Sequence, residues 1–215
     1  MLKRVACLSL IVFLSVPVSS FAYEATITKL NPPSPIKFEL HDKTILDLSI
    51  LGSPIATKEQ CMTYLLARNP LPYLSVSPQE LIDLFYEEGL REGIRPDVAF
   101  AQSLHETGFF KYGGDVLPSQ NNYAGLGAVG HGAKGIWFPD ARTGIRAQIQ
   151  HLKAYASTTP PCTPIVDPRY DLVKRSTSFG NLKTWESLNG KWAVPGKTYG
   201  QMILTIHQRI AATNP

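Results

Sequence analysis

Cysteine is scarce in this chain, and charge is both sparse and nearly balanced. Three cysteines, at 7, 61 and 162, occur in 215 residues, and no CxxC spacing suggests a zinc or dithiol site. A disulfide-dense scaffold is thereby excluded. Only 18% of the residues are charged, 21 basic against 17 acidic, which is too even to argue for a nucleic-acid partner. The sequence has no GxSxG, no GxxxxGK[ST] and no GxGxxG at a strand-to-helix turn. His105-Glu106 lacks the second histidine of a metalloprotease helix. The histidines at 41, 105, 131, 151 and 207 form no ligand spacing, and Cys61 lies in no nucleophile signature. No metal and no cofactor is expected.

A long apolar span is also missing. Val5 to Val18 is apolar but shorter than the roughly 18 residues a transmembrane helix needs. It follows Lys3-Arg4 and precedes Ser20-Phe21-Ala22, the pattern of a signal peptide cut after Ala22. Cys7 stands at the start of the run, which argues against a lipid anchor. The mature chain would carry 19 basic and 17 acidic residues and be secreted, extracellular or periplasmic, as a monomer with no membrane association. Cys61 and Cys162 would then sit in an oxidising compartment. A disulfide is permitted there, and two buried small hydrophobes are the alternative.

What is present is helical punctuation. Residues 23–53 are proline-broken and read as an extended arm, followed by one domain over 54–215. Thr57-Lys58-Glu59-Gln60 and Ser77-Pro78-Gln79-Glu80 have capping-box spacing, and Pro96-Asp97 opens a third helix. Lys111–Gly135 holds seven glycines, which suit a turn-rich lobe with Gly135–Phe138 as a strand. Helices resume at Thr143-Gly144, around Leu182–Leu188 and over Tyr199–Ala212. The fold class expected is α+β, mainly α, with a small β lobe.

Three clusters carry possible chemistry. Glu106 ends its helix with Gln102 and Ser103 on the same face. A helix C-terminus and the neighbouring Phe109-Phe110 would both raise its carboxyl pKa, as a glycosidic general acid requires. The alternative is a solvated helix-end glutamate with core phenylalanines. Gln120-Asn121-Asn122-Tyr123-Ala124-Gly125 combines amides, a ring and bare backbone, suited to sugar hydroxyl and acetamido groups or to a plain turn. Trp192 and Tyr199, in a Gly/Pro-rich loop, would form a stacking wall or buried anchors.

From about Leu46 to Ile210 the chain resembles glycoside hydrolase family 73, the glucosaminidase domain of bacterial autolysins. The matching blocks are Glu92-Gly93-Ile94-Arg95, Ala99–Ser103, Glu106–Phe110, Asn121–Gly125, Gln150-His151-Leu152 and Trp192–Gly196. The resemblance implies a lysozyme-like helical lobe, a β lobe and a cleft between them. It implies hydrolysis of the β-1,4 bond after N-acetylglucosamine in peptidoglycan glycan strands, with Glu106 as acid. Gln102, Asn121, Asn122, Tyr123, Gly125 and Trp192 would contact the sugar. An active-site tyrosine falls on Trp192 or Tyr199, with Tyr199 the better phenol. A second acid is implied some thirty residues after Glu106, and between Lys111 and Thr143 only Asp115 and Asp140 are carboxylates. Asp140 has the offset, although the substrate's acetamido group can replace a second protein acid. A lytic transglycosylase, an amidase and a non-catalytic wall-binding protein are the other readings.

Overall fold

Thr57 is where the described scaffold begins to coil. In the computed structural model, residues 48–128 and 134–215 are described. The expected signal peptide, most of the expected arm and residues 129–133 lie outside them. Thr57 accepts from Gln60 N–H and receives the reciprocal Gln60 side chain, opening α1 (Lys58–Arg68) with a complete capping box. Ser77 caps α2 (Pro78–Glu92), which Gly93 closes in the left-handed conformation. Then come α3 (Pro96–Glu106), α4 (Ala141–Ala156), α5 (Tyr170–Lys174) and α6 (Tyr199–Ala211). The helices α2, α3 and α6 bury Phe85, Phe100 and Ile203 in one core. The last residues of the arm are stitched to it. Ser49 bridges Thr184, Leu51 bridges Ile94, and Ile50 is buried.

Two expectations about the middle of the chain are corrected. Among the described residues there is no strand, only isolated bridges, so the small β lobe is absent there. Side chains take the place of a partner strand. Gln120 donates to the carbonyls of Lys134 and Ile136, Asn122 to Ile136 and Asn121 to Phe138. A segment whose carbonyls are already satisfied by amides does not need a ladder. The α4 helix also begins two residues earlier than Thr143, at Ala141, because Asp140 is its N-cap and accepts from Thr143 N–H at 2.7 Å. Gly144 lets α4 approach this loop. A Cβ there would fall 1.8 Å from the Asn121 carbonyl oxygen. The stretch at 182–188 forms only a short 3₁₀ turn, Glu186–Leu188, and between it and α4 stands the short helix α5, where sequence analysis placed none.

Buried ion pairs lock the helices together. Glu88 of α2 is fully buried and meets Arg91, Arg142 and Arg146, and Lys153 of α4 meets Glu92 at 2.6 Å. The disulfide does not form. Cys61 is buried against the Tyr86 hydroxyl, Cys162 is exposed, and both are free. Burial pushes the Cys61 thiol up to about 12, leaving it unreactive.

Candidate active site

The turn after α3 is wound the wrong way. Gly108, Phe109 and Phe110 all have φ between 57° and 60°, and Tyr112 has φ 57°. Left-handed backbone costs about 1–2 kcal/mol for each non-glycine residue, so the turn requires pins. Asn69 donates to the Phe109 carbonyl, Tyr73 N–H donates to the Phe110 carbonyl, and Thr107 Oγ1 accepts from Phe110 N–H. Phe110 packs on Phe100 and Tyr123, and Phe109 on Tyr64. The two phenylalanines are core residues and do not line the cleft. Their work is to fix where α3 stops, and Glu106 is its last residue.

Glu106 lies on the wall of a cleft of about 670 Å³. Around it are Gly125, Trp192, Thr107 and Tyr112, with Asp115 and His151 further along the lining. Loss of hydration pushes its carboxyl pKa up to about 7, against the opposing pull of hydrogen bonds from Tyr199 and Trp192. Tyr199 donates a short hydrogen bond to Glu106 Oε1. Gly125, at φ +63°, brings bare backbone against the other oxygen, where a Cβ would stand 3.1 Å from Oε2.

The phenol is itself held from behind. Gln102 Nε2 donates to the Tyr199 hydroxyl at 2.8 Å, Gln148 Nε2 donates to Gln102 Oε1 at 2.8 Å, and Ser103 Oγ donates to Gln148 Oε1 at 2.9 Å. This buried chain crosses α3, α6 and α4 and leaves the phenol hydrogen directed at Glu106. Because that bond favours the ionised carboxylate, removing it raises the Glu106 pKa further. In Tyr199→Phe the alkaline limb of the activity profile should move to higher pH by about one unit or more. A kcat/KM profile against pH checks the direction.

The sequence-predicted contacts divide sharply. Glu106, Gly125 and Trp192 line the cleft, and Tyr199 reaches it through its bond to Glu106. Gln102 is buried behind Tyr199, not in the cleft. Asn121, Asn122 and Tyr123 are corrected too, since all three are buried. Asn121 Oδ1 accepts from Ser75 and Tyr123, and Asn122 exchanges bonds with Leu126 N–H and carbonyl. Their polar atoms hold the loop, and the Tyr123 ring, 1% exposed, has no face for a sugar. Asp140 caps α4 and is absent from the cleft lining. Sequence reading missed Gln148 and Tyr155 on α4 and placed His151 in a matching block without a role. Gln148, Gln150 and His151 interrupt its apolar pattern with buried polar groups, which was the available signal.

Trp192 is half-buried and nearly parallel to the Tyr199 ring, 12° apart with centroids at 6.4 Å, and His151 meets it edge-on at 4.9 Å. Among the described residues no group of His, Cys, Asp and Glu could hold a metal ion. Fold and site together define a class, a mainly helical domain whose cleft holds a glutamate with its carboxyl pKa raised towards neutrality. A family model described as "Mannosyl-glycoprotein endo-beta-N-acetylglucosaminidase" matches residues 82–212, and the chain belongs to that family. A curated protein of Borreliella burgdorferi, described only as an uncharacterized protein, is 45% identical over 109 residues, 51% of this chain. The match covers 52% of that relative, about half its length. No solved structure matches.

Proposed function

We propose that the protein is a secreted endo-β-N-acetylglucosaminidase that hydrolyses the β-1,4 bond after N-acetylglucosamine in peptidoglycan. The observation that carries this reading is the Glu106 carboxyl, pushed up to about 7 in a cleft beside Tyr199 and Trp192. At neutral pH such a group still has a proton to give to the leaving glycosidic oxygen. Tyr199 then stabilises the carboxylate left behind, which can take a proton from the incoming water in the second step. Trp192 presents an indole to the sugar, and Gly125 allows the ring to approach the acid closely.

The nucleophile in this reading is the carbonyl oxygen of the substrate's own acetamido group. It attacks the anomeric carbon as the glycosidic bond breaks, and water opens the resulting oxazolinium ion with retention of configuration. Since Asp140 is occupied as a helix cap, Asp140→Asn should lower kcat less than tenfold, about 1.4 kcal/mol of barrier. Asn caps a helix as well as Asp, so stability should also hold. Asp115, which lines the cleft, favours a second reading, inversion by water activated on that carboxylate. An initial β product detected by NMR supports the first reading and an initial α product the second.

Digestion of purified cell wall followed by mass spectrometry of the fragments tests the activity itself. A new reducing N-acetylglucosamine end is expected. An anhydro-muramic end would mean a lytic transglycosylase, a freed peptide an amidase, and no cleavage a binding protein. Export is part of the proposal, and the N-terminus of protein recovered from culture medium should be Tyr23.

A further inference from the structure

The cleft continues past Trp192 into a smaller pocket of about 230 Å³. The two cavities share His151, Tyr155, Arg169 and Lys191. No carboxylate is among the described residues that line the smaller one. Elsewhere, Arg91, Arg142 and Arg146 are matched by Glu88 and Lys153 by Glu92, while Arg95 and Lys183 are met by backbone carbonyls. The Arg169 guanidinium and the Lys191 ammonium have no carboxylate partner among the described residues.

Unpaired surface lysines are common, and the setting separates these two cations from them. Asp167, whose side chain is fully buried, accepts the Arg169 backbone N–H at 2.8 Å and holds His151 Nδ1 at 2.7 Å. One buried carboxylate thus fixes the backbone of Arg169 and the ring of His151, whose Nε2 remains for the cavity. Tyr155 donates to the Lys191 carbonyl at 3.3 Å, fixing the third member. The wall begins one ring from the acid, because His151 packs edge-on against Trp192.

We propose that this pocket is a carboxylate-binding subsite that takes an acidic substituent of the bound glycan. Two sources fit that chemistry, the carboxylates of a peptide stem and the lactyl carboxylate of an unsubstituted muramic acid. The inference rests on the reading of the main cleft as a glycan site. Arg169 supplies a fork of N–H donors suited to a carboxylate, and Lys191 supplies a mobile charge at the rim. The substituent would hold one sugar of the repeat in register, so that glycan composed only of N-acetylglucosamine is bound less well.

The test is calorimetry on full-length Glu106→Gln protein at low salt with three tetrasaccharides. One is muramic-containing and peptide-bearing, one is muramic-containing with free lactyl groups, and one contains N-acetylglucosamine alone. At least one carboxylate-bearing ligand should bind about tenfold or more tightly than the neutral one, the scale of a charge-assisted contact. An advantage confined to the peptide form identifies the stem, and an advantage of the lactyl form identifies the muramic carboxylate. Adding Arg169→Ala and Lys191→Ala should abolish the gap, whereas Arg169→Lys should retain part of it. Equal affinity for all three ligands, or a gap that survives the double substitution, overturns the proposal. If circular dichroism shows the double variant unfolded, Lys191→Gln alone must narrow the gap, since its side chain is exposed, and an unchanged gap again overturns it. A wild-type protein that shows the binding gap yet cleaves none of the ligands would refute the hydrolase reading and leave the subsite standing.

Discussion

Glu106→Gln lowers turnover by about 10²–10⁴-fold, the usual contribution of a positioned general acid. The substitution preserves shape and still accepts the Tyr199 hydroxyl, so the phenol is not stranded. It removes only the proton that the cleft retains near neutral pH. Folding should be unaffected, because the carboxyl faces the cavity and joins no ion pair. Steady-state kinetics on isolated glycan, with a thermal melt beside them, check both halves. Near-wild-type turnover in a folded Glu106→Gln protein would displace Glu106 from the centre of the mechanism.

Asp97→Ala costs about 3–5 kcal/mol of stability, the scale for removing a buried carboxylate that leaves several hydrogen-bond donors unpartnered. Asp97 Oδ2 meets His207 Nε2 at 2.7 Å and accepts the N–H groups of Ile55 and Ala56 at 2.7 and 2.9 Å. Both side chains of the pair are buried, at 0% and 3% exposure. This one carboxylate joins α3, α6 and the segment before α1, so its removal strands three donors at once. For a domain of this size the melting temperature should fall by roughly 10 °C. Burial raises the Asp97 carboxyl pKa, but the His207 and backbone hydrogen bonds outweigh it and hold the carboxyl below its ordinary value. Its stabilising contribution is therefore present above the unfolded pKa and lost as pH falls through the folded one. Wild-type stability should decline on that acid side, and Asp97→Ala should lack this part of the decline. Melts at a series of pH values read the difference.

The parts of the fold written in local chemistry were legible in the sequence. The caps of α1 and α2 at Thr57 and Ser77 are side-chain bonds across three residues, and the helices begin where those residues place them. Glu106 at the end of α3 was legible for the same reason, as was the tyrosine helix start at 199. The loop at 120–138 was not. Its glycines suggested a β lobe, yet the amides of Gln120, Asn121 and Asn122 fill the carbonyls that a partner strand would have taken. The same amides suited a sugar equally well on paper, and only their burial shows that they are spent on the loop. The cleft was partly hidden because it is assembled from distant segments. Tyr199 meets Glu106 across 93 residues, and Arg169 and Lys191 come from separate loops. No local pattern announces such pairings.

The most direct test of the central claim is the titration of one carboxyl. Carbon-13 NMR of the Glu106 side-chain carboxyl, assigned by comparison with Glu106→Gln, reports its protonation in the folded protein. The account predicts a midpoint near the value of about 7 set by loss of hydration in the cleft. A midpoint at the ordinary 4.5 of a solvated glutamate would contradict it, because Glu106 would then hold almost no proton to give at neutral pH.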